Sequence, residues 1–403
     1  MCVFITTYIN VQKMKIPNLK LTDIILIISI FLISLENHGE SRLYISAVLL
    51  MIVTILKKNG KVPKRFIYAI SMSFFILSVI SFISSFEILS YKSNLAGYGI
   101  ESFLISIFLK SFLAVLFIYN IYNDRNAQLN VLKFIVLIHI SAFYIQFMLV
   151  YTTGYYIDLL RPFTDEASRY TWQVTVPLIG KTYRPTGFYN EPSTYSAFVI
   201  CLILIRNIIT RSIDKLDLFA IFSLFASLSF ASIAYGALFL LIINLRGSRA
   251  LKYLPLILIL IIFISPLVIY MLEARTSGDY DAIGLRAGLL EVIFSQSITE
   301  ILFGNGPVGV PKEIEYLVNN PGLSWTKNGL PALNDNGLFI FIIMKFGVLG
   351  CILLLFYMKK YLHDIGEFLL HSIILMTKIK YTSAIFIMYI ILLSLRKSMK
   401  DNE

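Results

Sequence analysis

The sequence predicts an all-α fold, a polytopic bundle of about twelve membrane-spanning helices with two long outward-facing loops. Three observations predict it. Of the 403 residues, 57% are hydrophobic and the mean hydropathy is +0.77. Soluble domains reach only about 45–50% apolar residues even with glycine counted. Charged residues make up 15% of the chain, against about 25% in ordinary soluble domains. Such a chain cannot cover a water-facing surface, so lipid has to be its solvent. The apolar residues also fall in runs close to the roughly 20 residues that a spanning helix needs.

Taken in order, spans are expected at 21–36, 43–57, 66–86, 100–119, 131–153, 192–210, 216–231, 232–246, 253–272, 337–357, 364–377 and 381–396. No small-residue cleavage pattern follows the first run, which reads as a retained helix rather than a signal peptide. Leu216 to Leu245 forms one continuous apolar run. It is split near Ala231–Ser232, where Ser227, Ser229 and Ser232 dilute the apolarity; one long tilted helix is the alternative. Charge supports the split. With both termini cytoplasmic, inner segments collect clusters such as Lys57, Lys58, Lys61, Lys64 and Arg65, or Arg246, Arg249 and Lys252. The short outer loops carry only Arg42, Lys92, Lys378 and Lys380. That is the positive-inside asymmetry, and removing one helix from 216–246 would destroy it.

The net charge of +11 does not indicate nucleic acid. The basic residues lie in short clusters between apolar runs, without a nucleic-acid motif. Cys2, Cys201 and Cys351 show neither metal-ligand nor redox spacing. No bound metal or other cofactor is expected. No repeat or soluble domain interrupts the chain, so residues 1–403 read as one integral membrane domain.

Chemistry is expected in the two long loops, about 152–191 and 272–336. The first ends in Arg184-Pro-Thr-Gly187-Phe-Tyr-Asn-Glu191-Pro192 at the mouth of a helix. Glu191 is either a helix-start carboxylate stabilised by the dipole or a base that accepts a proton from a hydroxyl. Arg161 and Arg169 share its loop; Arg275 and Arg286 lie in the second. Arginines on outer loops run against the positive-inside bias. They either pair with nearby carboxylates or form an anion site, because guanidinium matches phosphate bidentately. The second loop continues through Phe303-Gly-Asn-Gly306-Pro-Val-Gly309 to Asn334-Asp335-Asn-Gly337. Glycines such as Gly187 and Gly306 let backbone approach a ligand or turn tightly. Asp335 is either the cap of the next helix or a second acidic group of the site. Tyr183, Tyr189, Trp172 and Trp325 are candidates to stack on sugar rings, or plain interfacial anchors. Inside the spans, Lys345 reads as an ion-pair partner and His139 as an interhelical hydrogen-bonder.

The segment Arg184-Pro-Thr-Gly187…Glu191-Pro-Ser193 resembles the signature of the O-antigen polymerase and ligase superfamily. Leu228-Ser-Phe-Ala-Ser-Ile-Ala-Tyr-Gly236 resembles its next marker, although Ile233 stands where an arginine often follows the serine. Arg286, Phe303–Gly306, Asp335–Gly337 and Gly347–Gly350 resemble the third. The resemblance implies a metal-independent, multi-spanning glycosyltransferase of the bacterial inner (cytoplasmic) membrane. Its donor would be an undecaprenyl-pyrophosphate-linked oligosaccharide. A chain-length regulator and a flippase would be its partners beside membrane lipid. Ligases of this superfamily typically carry a histidine where this chain has Asn334-Asp335-Asn336, which favours the polymerase branch and a product such as O-antigen or capsule. Arg184 and Arg286 would hold the pyrophosphate, helped by Arg161, Arg169 or Arg275, while Glu191 or Asp335 takes the acceptor proton. A ligase is the same-class alternative. A lipid-linked oligosaccharide flippase would show short loops and repeats, and a scaffold would tolerate loss of Arg184, Arg286 and Glu191.

Overall fold

The computed structural model describes residues 19–35, 41–58, 68, 100–122, 124–164, 167–168, 174–176, 180–245, 282–314 and 333–400. Twelve α-helices occur among them: α1 Leu21–Ser34, α2 Ser41–Lys58, α3 Ile100–Ile121, α4 Arg125–Thr153, α5 Pro192–Thr210, α6 Lys215–Ala226, α7 Phe230–Leu245, α8 Ala282–Phe294, α9 Ile298–Phe303, α10 Leu338–Tyr361, α11 Ile365–Met376 and α12 Ala384–Lys400. They are not the twelve expected spans. The spans at 66–86 and 253–272 lie outside the described residues, apart from residue 68. Helices α8 and α9 fall within 272–336, where a long loop was expected. A 3-10 turn at Arg161–Phe163 and an antiparallel hairpin, β1 Val174–Val176 with β2 Gly180–Thr182, occupy the first loop.

Among the described residues, four helices are long and apolar enough to cross a membrane: Phe103–Ile121 within α3, and α4, α5 and α10. Helices α1, α7, α11 and α12 are apolar but shorter. Helix α2 shows what surrounds the bundle. Leu43, Ala47, Leu50 and Val53 face inward, while Tyr44, Ile45, Val48, Met51, Ile52, Ile55 and Leu56 point out of the protein. A helix apolar on all sides belongs in hydrocarbon. Lipid tails are as apolar as leucine, so close packing rather than water exclusion holds the helices together. Helix α5 is the centre of that packing, with every residue from Tyr195 to Ile209 buried.

Local sequence sets the helix ends. Asp124 accepts from the Ala127 N–H (3.0 Å) and starts α4, and Gly154, at φ 70°, ends it. Pro192 opens α5 at a position where its missing N–H is not needed. Asp214 and Asp217 form a capping box at the start of α6. The apolar run at 216–245 is divided as expected, but a few residues earlier, at Ser227–Ser229. There Leu228 takes φ 50° and the serine hydroxyls compete for backbone groups.

Polar contacts fix the direction of the helices. At one end Lys57 closes α2 between Asp23 of α1 (3.9 Å) and Asp124 ahead of α4 (3.4 Å). Asn120 at the end of α3 donates to Thr54 of α2 (2.8 Å). Arg206 near the end of α5 pairs with Asp214 (2.6 Å) and Asp217 ahead of and within α6. Arg396 of α12 pairs with Glu367 of α11. His371 of α11 lies between Asn207 (3.1 Å) and Tyr389 (3.0 Å). Burial opposes ionisation of Asp124 and Asp214, but Lys57 and Arg206, with the backbone N–H groups of Ala127 and Asp217, hold both carboxyls below the usual range. The other end of the bundle gathers the start of α5, the start of α10 and the end of α11.

Candidate functional site at the start of helix α5

The chain enters this end under tight local control. Gln146, buried in α4, accepts from the N–H groups of Gly187 (2.7 Å) and Thr186 (3.1 Å) and donates to Gly187 O (3.2 Å) and Ile157 O (2.9 Å). Gly187 takes φ 58°, and a Cβ there would meet Tyr195 and the His139 carbonyl. Both would be ordinary contacts, at 3.5 and 3.6 Å, so the left-handed backbone and not space calls for glycine there. Four residues earlier the Tyr151 hydroxyl holds both the N–H and the carbonyl of Tyr183. Arg184 is half-buried between these two fixed points.

Tyr189 corrects one expectation. It is fully buried, stacked between His139 (5.5 Å) and Phe198 (5.0 Å), with its hydroxyl on Ser34 O (3.4 Å). No ring face remains for a sugar, so Tyr189 is a core anchor. His139 is the interhelical hydrogen-bonder the sequence suggested, 2.9 Å from Ser34 Oγ.

Glu191 takes the N-cap position of α5, but its side chain makes no capping bond. Its Oε2 accepts from Ser193 Oγ (3.1 Å) and from Lys378 Nζ (3.1 Å). Asp335 does not cap α10 either, because Gly337 fills that position. Asp335 Oδ1 lies 2.5 Å from the same Lys378 Nζ. The structure therefore joins the two carboxylates through one ammonium, with side chains 23%, 15% and 10% exposed for Glu191, Asp335 and Lys378.

Arg286, on α8, is drawn to the same place. Its carbonyl accepts from Nδ2 of Asn336 (2.9 Å), the residue next to Asp335. Ser232 ties the start of α7 to α5 through Pro192 O (3.3 Å) and Ser196 Oγ (3.0 Å). Lys378 is the residue sequence reasoning passed over, noted only as a loop charge. The signal was present: a lysine on the side poor in basic residues needs a partner, as the arginines do.

Other expected residues are placed elsewhere. Arg161 is exposed on the 3-10 turn, where its backbone N–H donates to Asp158 Oδ1 (3.1 Å). Arg169, Arg275, Trp172 and Trp325 lie outside the described residues. Tyr183 is half-buried edge-on to Tyr151 (6.1 Å). Gly306, at φ 80°, belongs to a segment packed on the kink of α10 at Gly347. Asn305 there donates to Met344 O (2.9 Å), and Tyr381 donates to Pro307 O (2.8 Å). Lys345 was expected in an ion pair. Its ammonium instead donates to Gly309 O (2.5 Å) beneath that segment, 5.8 Å from the Phe341 ring.

Among the described residues, no three His, Cys, Asp or Glu side chains are grouped to hold a metal ion. The side chains that do meet offer two carboxylates on one ammonium at the start of a buried helix, with the Arg286 backbone held beside them. That set can take a proton and stabilise an anion. Comparison with known proteins finds no match to the chain among protein-family models, curated proteins or solved structures.

Proposed function

We propose that this chain is a membrane glycosyltransferase that polymerises undecaprenyl-pyrophosphate-linked repeat units into a surface polysaccharide on the outer face of the bacterial cytoplasmic membrane. The observation that carries the reading is the bridge of Glu191 and Asp335 through Lys378 at one end of the bundle, with the Arg286 backbone tied to Asn336 beside it and Arg184 in the loop that leads to Glu191. Two stretches read as long outer loops supply all of these residues but Lys378. The opposite end carries Lys57, Arg125, Arg206, Lys359, Lys360 and Arg396, the basic excess expected on a cytoplasmic face. Both termini are then cytoplasmic, and the twelve-span topology follows if 66–86 and 253–272 also cross.

The donor sugar is attached at its anomeric carbon to the lipid pyrophosphate. An acceptor hydroxyl on a second lipid-linked unit attacks that carbon. The new C–O bond forms as the bond to the phosphate oxygen breaks, so configuration inverts. The acceptor proton goes to Glu191, which supplies general-base catalysis of about 10²–10⁴-fold. The electron pair leaves on the pyrophosphate, where Arg184 and Arg286 stabilise the growing charge. Fixed cations aimed at such charge contribute on the order of 3–4 kcal/mol each in a site shielded from water.

The test is polysaccharide length on a gel from cells lacking the protein. They are complemented with wild type, Arg184→Ala, Arg286→Ala or Glu191→Gln at matched membrane levels. Wild type should restore a ladder, and the three variants should leave single-unit product. Equal ladders from all four would remove the chemistry assigned to these residues. If wild type governs only whether units cross the membrane, the protein is a flippase.

A further inference from the structure

The backbone around Lys378 is fixed far more firmly than a short connection between two helices requires. Three consecutive carbonyls are each taken by a donor from a different segment. Met376 O accepts from the Tyr235 hydroxyl of α7 (2.7 Å), and Thr377 O accepts from the Leu338 N–H at the start of α10 (2.7 Å). Lys378 O accepts from Asn334 Nδ2 in the turn before α10. Gly337, at φ 91°, lets the two backbones close on each other. The site at which the ammonium stands is therefore set by the fold.

At that point stand two anions. Both carboxylates reach one nitrogen, at 3.1 and 2.5 Å, and both side chains are mostly withdrawn from water. Like charges this close favour protonation of one of the pair. A carboxylate that already carries a proton cannot accept another from a hydroxyl. Among the described residues, the titratable and charged groups that the packed elements bring here include Tyr235 from α7, Arg286 from α8, Asp335 ahead of α10 and Lys378 after α11, and Lys378 contacts both carboxylates.

We propose that Lys378 is the positioning residue of the site: its ammonium bridges Glu191 and Asp335, keeps the pair doubly ionised and holds Glu191 as a ready base. The role rests on the polymerase reading above. Asp335 then serves as the second anchor of Lys378, not as a second base. Arginine can replace the lysine in part, since it is a permanent cation with more donors, but its planar fork does not reproduce a point charge.

The experiment uses membranes from cells that accumulate their own lipid-linked repeat unit, and counts sugar–sugar bonds formed per minute between pH 5 and 9. Lys378→Met should lose roughly 100-fold at neutral pH, the scale of a lost general base. The acid limb of its activity profile should move to higher pH. Lys378→Met with Asp335→Asn removes the competing anion and should recover at least about tenfold over the single variant, with the acid limb returning. Lys378→Arg should stay within about tenfold of wild type. The double variant guards against misfolding, because a chain that failed to fold would not regain activity by losing a further contact. An unmoved acid limb in Lys378→Met, or a double variant no better than the single one, overturns the role given to Lys378. If wild type itself forms no bonds, the polymerase reading falls instead.

Discussion

Substituting alanine at Gly337 isolates the geometry of the site from its chemistry. The residue touches no charge, yet it separates the start of α10 from the strand of chain that carries Lys378. At φ 91° and ψ 166° it occupies a region that side chains avoid, and forcing one in costs about 1–3 kcal/mol. Space adds a second effect. The new Cβ would stand 2.6 Å from Met376 O and 3.0 Å from Met376 C. Ordinary contact begins near 3.4 Å, so the Met376 peptide has to retreat by roughly 0.5–1 Å, and Lys378 follows two residues later. Misplacement of about 1 Å in a catalytic constellation costs on the order of 10²-fold in rate. Gly337→Ala should therefore lower bond formation by about 10–100-fold while the protein still reaches the membrane. Gly154→Ala is the control. It imposes a milder, left-handed backbone penalty at φ 70° and ψ 0°, and its Cβ meets nothing within 4 Å. The assay is initial rate in membranes, normalised to protein that runs as a single peak in detergent. Equal rates for Gly337→Ala and Gly154→Ala would refute the reasoning.

Other perturbations follow from the same contacts. Gln146→Leu strands the N–H groups of Thr186 and Gly187, each worth about 1–3 kcal/mol when buried and unanswered; reduced detergent stability and a reduced rate should appear together. Arg396→Ala leaves Glu367 buried without its partner and should cost about 3–5 kcal/mol, read as lost folded yield. Arg396→Met with Glu367→Leu should recover much of it. The depressed carboxyl of Asp214 predicts a pH effect with a definite sign. Stability from Arg206 is fully present above the unfolded value of Asp214 and is lost as pH falls through its lower folded value. Thermal melting in detergent should show a shallower acid-side loss in Asp214→Asn than in wild type.

Helix positions were legible because lipid imposes a simple rule on sequence. Apolar runs at 21–36, 192–210 and 364–377 return as Leu21–Ser34, Pro192–Thr210 and Ile365–Met376. Helix α4 starts at Arg125, six residues before its expected span, because Asp124 supplies a cap that carries the helix through Asn126 and Gln128 before the apolar run begins. The second long loop was harder. Ala282–Phe294 is a helix, but Gly284, Arg286, Gly288 and Glu291 break its apolar pattern. The composition of the site was half legible. Arg184 and Arg286 stand out as arginines in loops expected to be poor in basic residues, and Glu191 and Asp335 by their places just ahead of helices. Their meeting through Lys378 did not, because it depends on a lysine 187 residues from Glu191 and on a glycine whose importance is a backbone contact. Tyr189 was misread for a related reason: an aromatic beside a helix mouth looks alike whether its ring faces sugar or His139.

The bridge between Glu191 and Lys378 also bears on how the protein comes into being. A polytopic chain enters the membrane from its N-terminus, and its helices begin to pack as they arrive. By the time α5 is in place, Glu191 is present with Gln146, Ser193 and its neighbours. Its cation is still unsynthesised, and so are Asp335 and Asn334. The constellation closes only when α11 has packed and Thr377 has met the start of α10. A chain stopped at any earlier point would bury most of its apolar surface and still be inert. On the proposed reading, activity would thus report completed assembly, and the chemistry would be withheld from every unfinished copy.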